Sequence, residues 1–210
     1  MSLELDHLFC FCDPELPEVA VLETEGFVLT SGRKHIGQGT ANRSVMFDSN
    51  YLELIFLESE KDALLNPLTL HLRAYWKTTG QSPIGIALRG EIPEQDLSRF
   101  WDYSPPYFPE RKIKIHHFNE LHPEFPLLFV MPTSGLPSRF EESLMHKTKS
   151  TNITQIRLRT PLNEWPLSEE VKQIKFEKGF PHHVEVHVDG LQSKTLPLNG
   201  LMTLVIAPKS

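Results

Sequence analysis

The spacing of apolar and polar positions changes several times along the chain, and each change predicts an element. Leu3 to Phe11 is continuously apolar and aromatic-rich, as a buried strand is. Asp13-Pro14-Glu15 then supplies an N-cap, a first-turn proline and a first-turn acid. A helix is expected from there to Glu25, with Leu16, Val19, Ala20 and Leu22 as its apolar face and Gly26 in the left-handed position that ends it. Phe27 to Thr30 reads as the next strand. A Gly-rich, polar stretch from Ser31 to Asn42 leads to two β-type runs, Ser44–Phe47 and Tyr51–Leu57, joined by the turn residues Asp48-Ser49-Asn50. Residues 1–59 therefore spell βαβββ.

The order recurs in degenerate form. Pro83–Arg89 is strand-like, Pro93–Trp101 is a helix opened by proline, and Lys112–Ile115 and Phe125–Met131 return to β character. A third unit begins with Asn152–Arg159 and continues with a short helical candidate, Ser168–Lys175. Val184, Val186 and Val188 then alternate with Glu185 and His187 up to a hairpin turn at Asp189-Gly190, and Leu201–Ile206 is the final strand. The expectation is one α+β domain, 1–210, built of units 1–59, 82–132 and 152–208 with connecting segments 60–81 and 133–151. Glu60–Lys77 reads as helical and 133–151 as loop. Proline-rich Ser104–Pro109 reads as a rigid surface connection rather than a polyproline-type ligand, because its aromatics would otherwise expose apolar area.

Composition narrows the partners. Of 210 residues, 40% are hydrophobic and 10% aromatic, enough for a real core, and no apolar run approaches the length of a membrane span. With 21 basic against 27 acidic residues the formal charge is −6, so no whole-chain positive field attracts nucleic acid or anionic lipid. Cys10 and Cys12, at i and i+2 of one strand, would stand roughly 6.5–7 Å apart, at or beyond disulfide reach. They are expected to be buried thiols. Met1-Ser2-Leu3-Glu4 lacks a basic n-region and a long apolar h-region, so the expected home is cytoplasmic. The expected partner is a small molecule, with the chain a monomer or homodimer.

Three motifs carry a resemblance: Leu5-Asp6-His7-Leu8, His35-Ile36-Gly37-Gln38-Gly39-Thr40-Ala41-Asn42 and Tyr51-Leu52-Glu53-Leu54-Ile55. In this order and on βαβββ spacing they resemble the glyoxalase-like branch of the vicinal oxygen chelate superfamily. Pro83–Arg89 and the stretch from His146 to Leu158 match more loosely. The resemblance implies paired βαβββ units forming a curled mixed sheet around a concave pocket. It also implies a divalent metal (zinc, iron, manganese or nickel) held by side chains from the first and fourth strands of each unit. His7 and Glu53 match those positions, as metal ligands and as catalytic residues. The later units do not: Gly85 or Gln155 falls where a second histidine would be, and Leu127 or Thr203 where a second glutamate would be.

Each candidate has a plainer alternative. His7 is a pocket ligand or a hydrogen-bonded core histidine; Glu53 is a pocket-facing carboxylate, which then needs a partner, or a solvated acid. His35, Thr40, Asn42 and His146 are the candidate substrate-binding residues. The loop Gly37–Asn42 lacks the Gly-Lys-Ser/Thr ending of a phosphate-binding loop, so it reads as a Gly-dependent turn. His116-His117 with His122, and His182-His183 with His187, read as mostly surface groups with only adventitious metal affinity. Trp76, Trp101 and Trp165 read as packing anchors. The functional expectation is a pocket for a small oxygen-rich or aromatic molecule, with metal-assisted lyase, isomerase or dioxygenase chemistry; the alternative is non-catalytic binding or sequestration on the same fold.

Overall fold

A computed structural model describes residues 2–132, 145–162 and 164–209. In the first unit, β1 (Glu4–Phe11) leads through helix α1 (Pro17–Thr24) to β2 (Arg33–His35), β3 (Thr40–Met46) and β4 (Tyr51–Leu57). Three short helices follow, α2 (Glu60–Leu65), α3 (Leu70–Ala74) and α4 (Trp76–Thr79). The second unit is β5 (Ile84–Arg89), a 3₁₀ helix over Glu94–Arg99, β6 (Phe100–Tyr103), β7 (Ile113–His116), helix α5 (Phe118–Leu121) and β8 (Leu127–Met131). These eight strands form one mixed sheet in the order β2-β3-β4-β1-β5-β8-β7-β6. In each half the first strand pairs in parallel with the fourth, β1 with β4 and β5 with β8, and the halves meet where β1 and β5 run antiparallel.

The remaining strands, β9 (Ile153–Thr160), β10 (Ile174–Lys178), β11 (His183–Gly190), β12 (Lys194–Pro197) and β13 (Met202–Pro208), make a separate sheet of order β10-β9-β11-β13-β12. Val184, Val186 and Val188 are fully buried on alternate positions of β11, the period-two pattern of a strand with one covered face. They join a core with Ile153, Ile156 and Leu158 of β9 and with Leu8, Cys10, Ile84, Ile86 and Leu88 of the eight-stranded sheet. The second sheet therefore backs one face of the first. Asn50, 1% exposed, stitches the two: its Oδ1 accepts from the Ile153 N–H (2.7 Å) and its Nδ2 donates to the Ile153 carbonyl (3.0 Å). The opposite face of the eight-stranded sheet carries a second apolar cluster, including Phe9, Phe11, Ile55, Ile113, Ile115, Leu127 and Phe129.

Several elements differ from expectation. The first helix begins at Pro17, which occupies its first turn, so Pro14 falls in the preceding turn. Phe27–Thr30 contributes only an isolated bridge between Leu29 and Val45. Glu60–Lys77 is split into separate helices around Pro67, which cannot donate a backbone hydrogen bond. Ser168–Lys175 is not helical: Ile174 already belongs to β10, which pairs in parallel with β9. Strand β11 runs through Asp189-Gly190, and its neighbour is β13 and not the next strand in sequence. Of the connecting segment 133–151, residues 133–144 lie outside the described residues. Cys10 and Cys12 are free thiols, and burial raises the pKa of both. His116 and His182 are buried, whereas His117 and His122 pair at the surface with Glu120 and Glu124. Among the described residues no helix is long and apolar enough to cross a membrane.

Candidate functional site

A cavity of about 420 Å³ opens on the second cluster's face and spans both halves of the eight-stranded sheet. Its floor is set by a defect in β1. The register of β1 on β5 shifts between Leu5 and His7, leaving Asp6 as an extra residue. The bulge undoes the rule that adjacent strand residues face opposite ways. His7 joins Phe9 in lining the cavity, and the buried Asp6 carboxylate accepts a hydrogen bond from His7 Nδ1 at 2.6 Å. The proton of a neutral His7 is thereby fixed on Nδ1, and Nε2 is turned toward Glu53, whose Oε2 lies 3.6 Å away. The His7 ring is held between Tyr51, stacked at 4.2 Å, and the edge-on Phe129 at 5.5 Å.

Glu53 reaches the same floor from β4, two positions along from Tyr51, and is 6% exposed. Asn42 of β3 donates its amide to Glu53 Oε1. The orientation of that amide is set by the Arg33 N–H, which donates to Asn42 Oδ1 at 2.9 Å. His35 lies beside them, with Nε2 3.5 Å from Asn42 Nδ2 and 4.0 Å from Glu53 Oε1. Its Nδ1 meets Thr40 Oγ1 at 2.9 Å. Burial lowers the His35 pKa, against the opposing pull of Glu53.

A relay fixes His35 from behind. Asn66 Nδ2 donates to the Tyr103 hydroxyl (2.9 Å), which donates to Gln38 Oε1 (3.0 Å), and Gln38 Nε2 donates to Thr40 Oγ1 (3.1 Å). The turn that carries Gln38 depends on glycine. Gly39 has φ 84°, and a Cβ there would lie 2.4 Å from the Ala63 nitrogen and the Ser59 carbonyl oxygen at the start of α2. In front, Tyr107 stacks on His35 at 4.6 Å. The proline-rich connection between β6 and β7 is thus a cavity wall, with Tyr107 and Phe108 turned inward.

His7, Glu53, His35 and Asn42 are brought together, as lining residues of one cavity. Thr40 is buried behind His35 and supports it without lining the cavity. His146 is elsewhere: its Nδ1 accepts from the Val28 N–H (3.0 Å) and its Nε2 donates to the Met46 carbonyl (2.8 Å), with Phe27 and Phe47 against its ring. Both ring nitrogens are committed to backbone, so it pins the segment before β9 to the first unit. Asp6, Gln38, Tyr51, Tyr103 and Tyr107 were not singled out as site residues from sequence. The one usable signal was Tyr107-Phe108 inside a proline-bracketed loop, apolar area that an exposed connection would not carry.

Among the described residues the second half contributes no histidine or carboxylate to the cavity lining. Leu127 and Phe129 of β8 face the cavity, and Gly85 pairs with Phe9. A Cβ at Gly85 would lie 2.0 Å from Phe9 Cε1, so the ring occupies the space in which a side chain there would stand. Among the described residues no three His, Cys, Asp or Glu side chains are grouped to hold a metal ion. Among the described residues His7 and Glu53 stand as a donor pair, Nε2 and Oε2 3.6 Å apart.

A sequence model described as a glyoxalase-like domain matches residues 5–166, which takes in both halves of the eight-stranded sheet. The chain belongs to this glyoxalase-like domain family. Its paired four-stranded halves, β1–β4 and β5–β8, are the vicinal oxygen chelate architecture. Among solved structures, a hypothetical protein from Staphylococcus aureus is similar over 100% of both chains, with 13% identity and a TM-score of 0.62, a likeness of fold. A hypothetical protein from Bacillus halodurans (13% identity, TM-score 0.45) aligns over 65% of this chain and 99% of its own. Methylmalonyl-CoA epimerase from Mycobacterium tuberculosis (11%, TM-score 0.41) aligns over 63% and 89%. No curated protein matches. The family match ends soon after β9, so most of the second sheet of this glyoxalase-like chain lies beyond it.

Proposed function

We propose that the cavity binds a small oxygen-rich or aromatic carbonyl compound and moves a proton on it, with Glu53 as general base. The observation that carries this reading is the convergence of His7, His35 and Asn42 on one buried carboxylate at the floor of an aromatic-walled cavity. A general base must be held where it can reach the proton it takes, and Asn42 holds this carboxylate in one orientation. Thr40, whose oxygen accepts from Gln38, gives its own proton to His35 Nδ1, which leaves the His35 proton on Nε2 facing the cavity. Glu53 removes a proton from the carbon beside the substrate carbonyl. The electron pair of that C–H bond passes to the carbonyl oxygen, which the His35 Nε2–H stabilises. His7 Nε2, held as an acceptor by Asp6, takes a hydrogen bond from a substrate hydroxyl, and return of the proton from Glu53 to carbon completes an exchange or isomerisation.

His7 and Glu53 are also the donors a divalent ion would use, and the backing of His7 by Asp6 is the support a metal-bound imidazole needs. Zinc, iron, manganese or nickel bound there would supply Lewis-acid polarisation of a substrate oxygen. With Leu127 and Phe129 opposite, two side chains are what the described residues offer to hold it.

Solvent exchange tests the proposal. Panels of 2-oxo acids, 2-hydroxy ketones and aryl ketones are incubated in D2O with the protein, and loss of the α-proton signal is followed by NMR, with and without added metal. Glu53→Gln is expected to keep ligand affinity and slow exchange by about 10²–10⁴-fold. Ligands that raise the melting temperature yet exchange no proton would refute the catalytic reading and leave a binding or sequestration protein.

A further inference from the structure

Hydrogen bonds have a direction, and in the relay behind His35 that direction is set at the far end. Asn66, which closes α2, accepts the Leu68 N–H on Oδ1 (3.0 Å) and donates from Nδ2 to the Gly37 carbonyl (3.3 Å). A backbone N–H can only donate and a backbone carbonyl can only accept, so this amide has one orientation. Nδ2 therefore stands as a donor 2.9 Å from the Tyr103 oxygen. The single phenolic hydrogen goes to Gln38 Oε1 at 3.0 Å, which turns Gln38 Nε2 toward Thr40 Oγ1 at 3.1 Å. The Thr40 oxygen already accepts there, and its hydrogen is left for His35 Nδ1 at 2.9 Å. All five side chains are buried, so water is kept from repairing a reversed link. A reversal would leave buried donors facing each other, a penalty that disfavours it at least about fivefold. At His35 Nε2 two longer contacts pull against one another: Asn42 Nδ2 at 3.5 Å favours a bare nitrogen, Glu53 Oε1 at 4.0 Å a protonated one. The shorter contact at Nδ1 decides.

We infer that Tyr103 and Asn66 are positioning residues, which act through Gln38 and Thr40 to hold the imidazole hydrogen of His35 on Nε2, where the cavity meets it as a donor. Burial favours the neutral ring, so His35 has a tautomer to choose. Tyr103 belongs to β6 in the second half, whereas His35, Gln38 and Thr40 belong to the first. The half that brings no histidine or carboxylate to the cavity lining thus sets the hydrogen-bonding sense of a histidine in the other. The use of this donor rests on the proton-transfer reading and sharpens it: the ligand atom opposite His35 is an acceptor, as a carbonyl or enolate oxygen is and an ammonium group is not. The tautomer itself is a property of the ligand-free chain.

Nitrogen NMR tests this without a ligand. Long-range ¹H–¹⁵N correlation spectra of the full ¹⁵N-labelled chain distinguish a bare from a protonated imidazole nitrogen, recorded at about pH 8, above the ordinary histidine pKa of about 6.5. The His35 signals are assigned by their loss in His35→Gln. In the unaltered chain Nδ1 is expected bare and Nε2 protonated, with the other tautomer below about a fifth of the population. Tyr103→Phe removes the hydroxyl that orients Gln38, and the ratio of minor to major tautomer should rise about fivefold or more. Gln38→Leu cuts the relay one link nearer His35, should release the tautomer in the same way, and serves if Tyr103→Phe fails to fold. A protonated Nδ1 in the unaltered chain, or a ratio unmoved in the folded variant, overturns the inference whatever the cavity binds. With the tautomer as stated, a failure of every carbonyl compound to exchange its proton in D2O overturns the catalytic reading alone.

Discussion

Gly85→Ala probes the seam between the two halves, because the added methyl has nowhere to go. Its carbon would lie 2.0, 2.2 and 2.6 Å from three Phe9 ring atoms, whereas carbon contacts settle at about 3.5–4.0 Å. The ring must therefore retreat by about 1.5 Å. It is boxed in by Phe11 (5.9 Å) and Phe129 (6.2 Å), so the cost is that of overpacking, about 1–3 kcal/mol. For a chain of this size that lowers the melting temperature by about 2–12 °C, measured by circular dichroism. The mechanism is specific to one pair, which a double-mutant cycle isolates. Phe9→Ala removes the obstacle at its own cavity cost, and on that background Gly85→Ala should cost less than about 0.5 kcal/mol, a coupling of about 1–3 kcal/mol. Strictly additive losses would refute the reasoning and place the strain of Gly85→Ala in the backbone of β5.

Burial lowers the pKa of His116 to about 4 and also depresses those of His35, His146 and His182. The unfolded chain then takes up protons that the folded one refuses, so stability is whole above about pH 6.5 and falls as pH drops toward 4. Urea midpoints at pH 7, 6 and 5 should show this decline, with a shallower slope in His116→Gln; parallel slopes would remove His116 from the account. Asn50→Ala strips the Ile153 N–H of its partner and should cost about 1–3 kcal/mol in urea unfolding; an unchanged midpoint would refute the stitch. The hemithioacetal of glutathione and methylglyoxal should turn over negligibly with added zinc, nickel or manganese, since the described residues offer two donors where about three are usual. A metal-dependent rate abolished by Glu53→Gln would contradict that.

The first unit was largely legible because its punctuation is strong: Tyr51–Leu57 is β4 as read, bounded by turn residues on one side and an acidic helix start on the other. Strand β10 was not legible, because Lys175 and Glu177 flank Phe176 with no apolar run and only pairing with β9 makes the segment extended. His7 and Glu53 were legible as a pair through their motif positions. Asp6 as the support of His7 was not, since strand alternation sends neighbours to opposite faces and nothing local announces a bulge. His146 was misread for the opposite reason: a buried imidazole satisfied by two backbone groups has the same sequence signature as one awaiting a ligand.

The antiparallel junction of β1 with β5 bisects the cavity, with His7, His35 and Glu53 on one bank and most of the aromatic wall on the other. A ligand lying between them adds a crosslink between two half-sheets already joined by one strand pair, the Tyr103–Gln38 hydrogen bond and the Tyr107–His35 stack. Its arrival should slow hydrogen exchange along the whole of that strand pair and harden the fold as a strut hardens a hinge. Changes on the apolar bank can then reshape what fits without disturbing the His7–Glu53 floor.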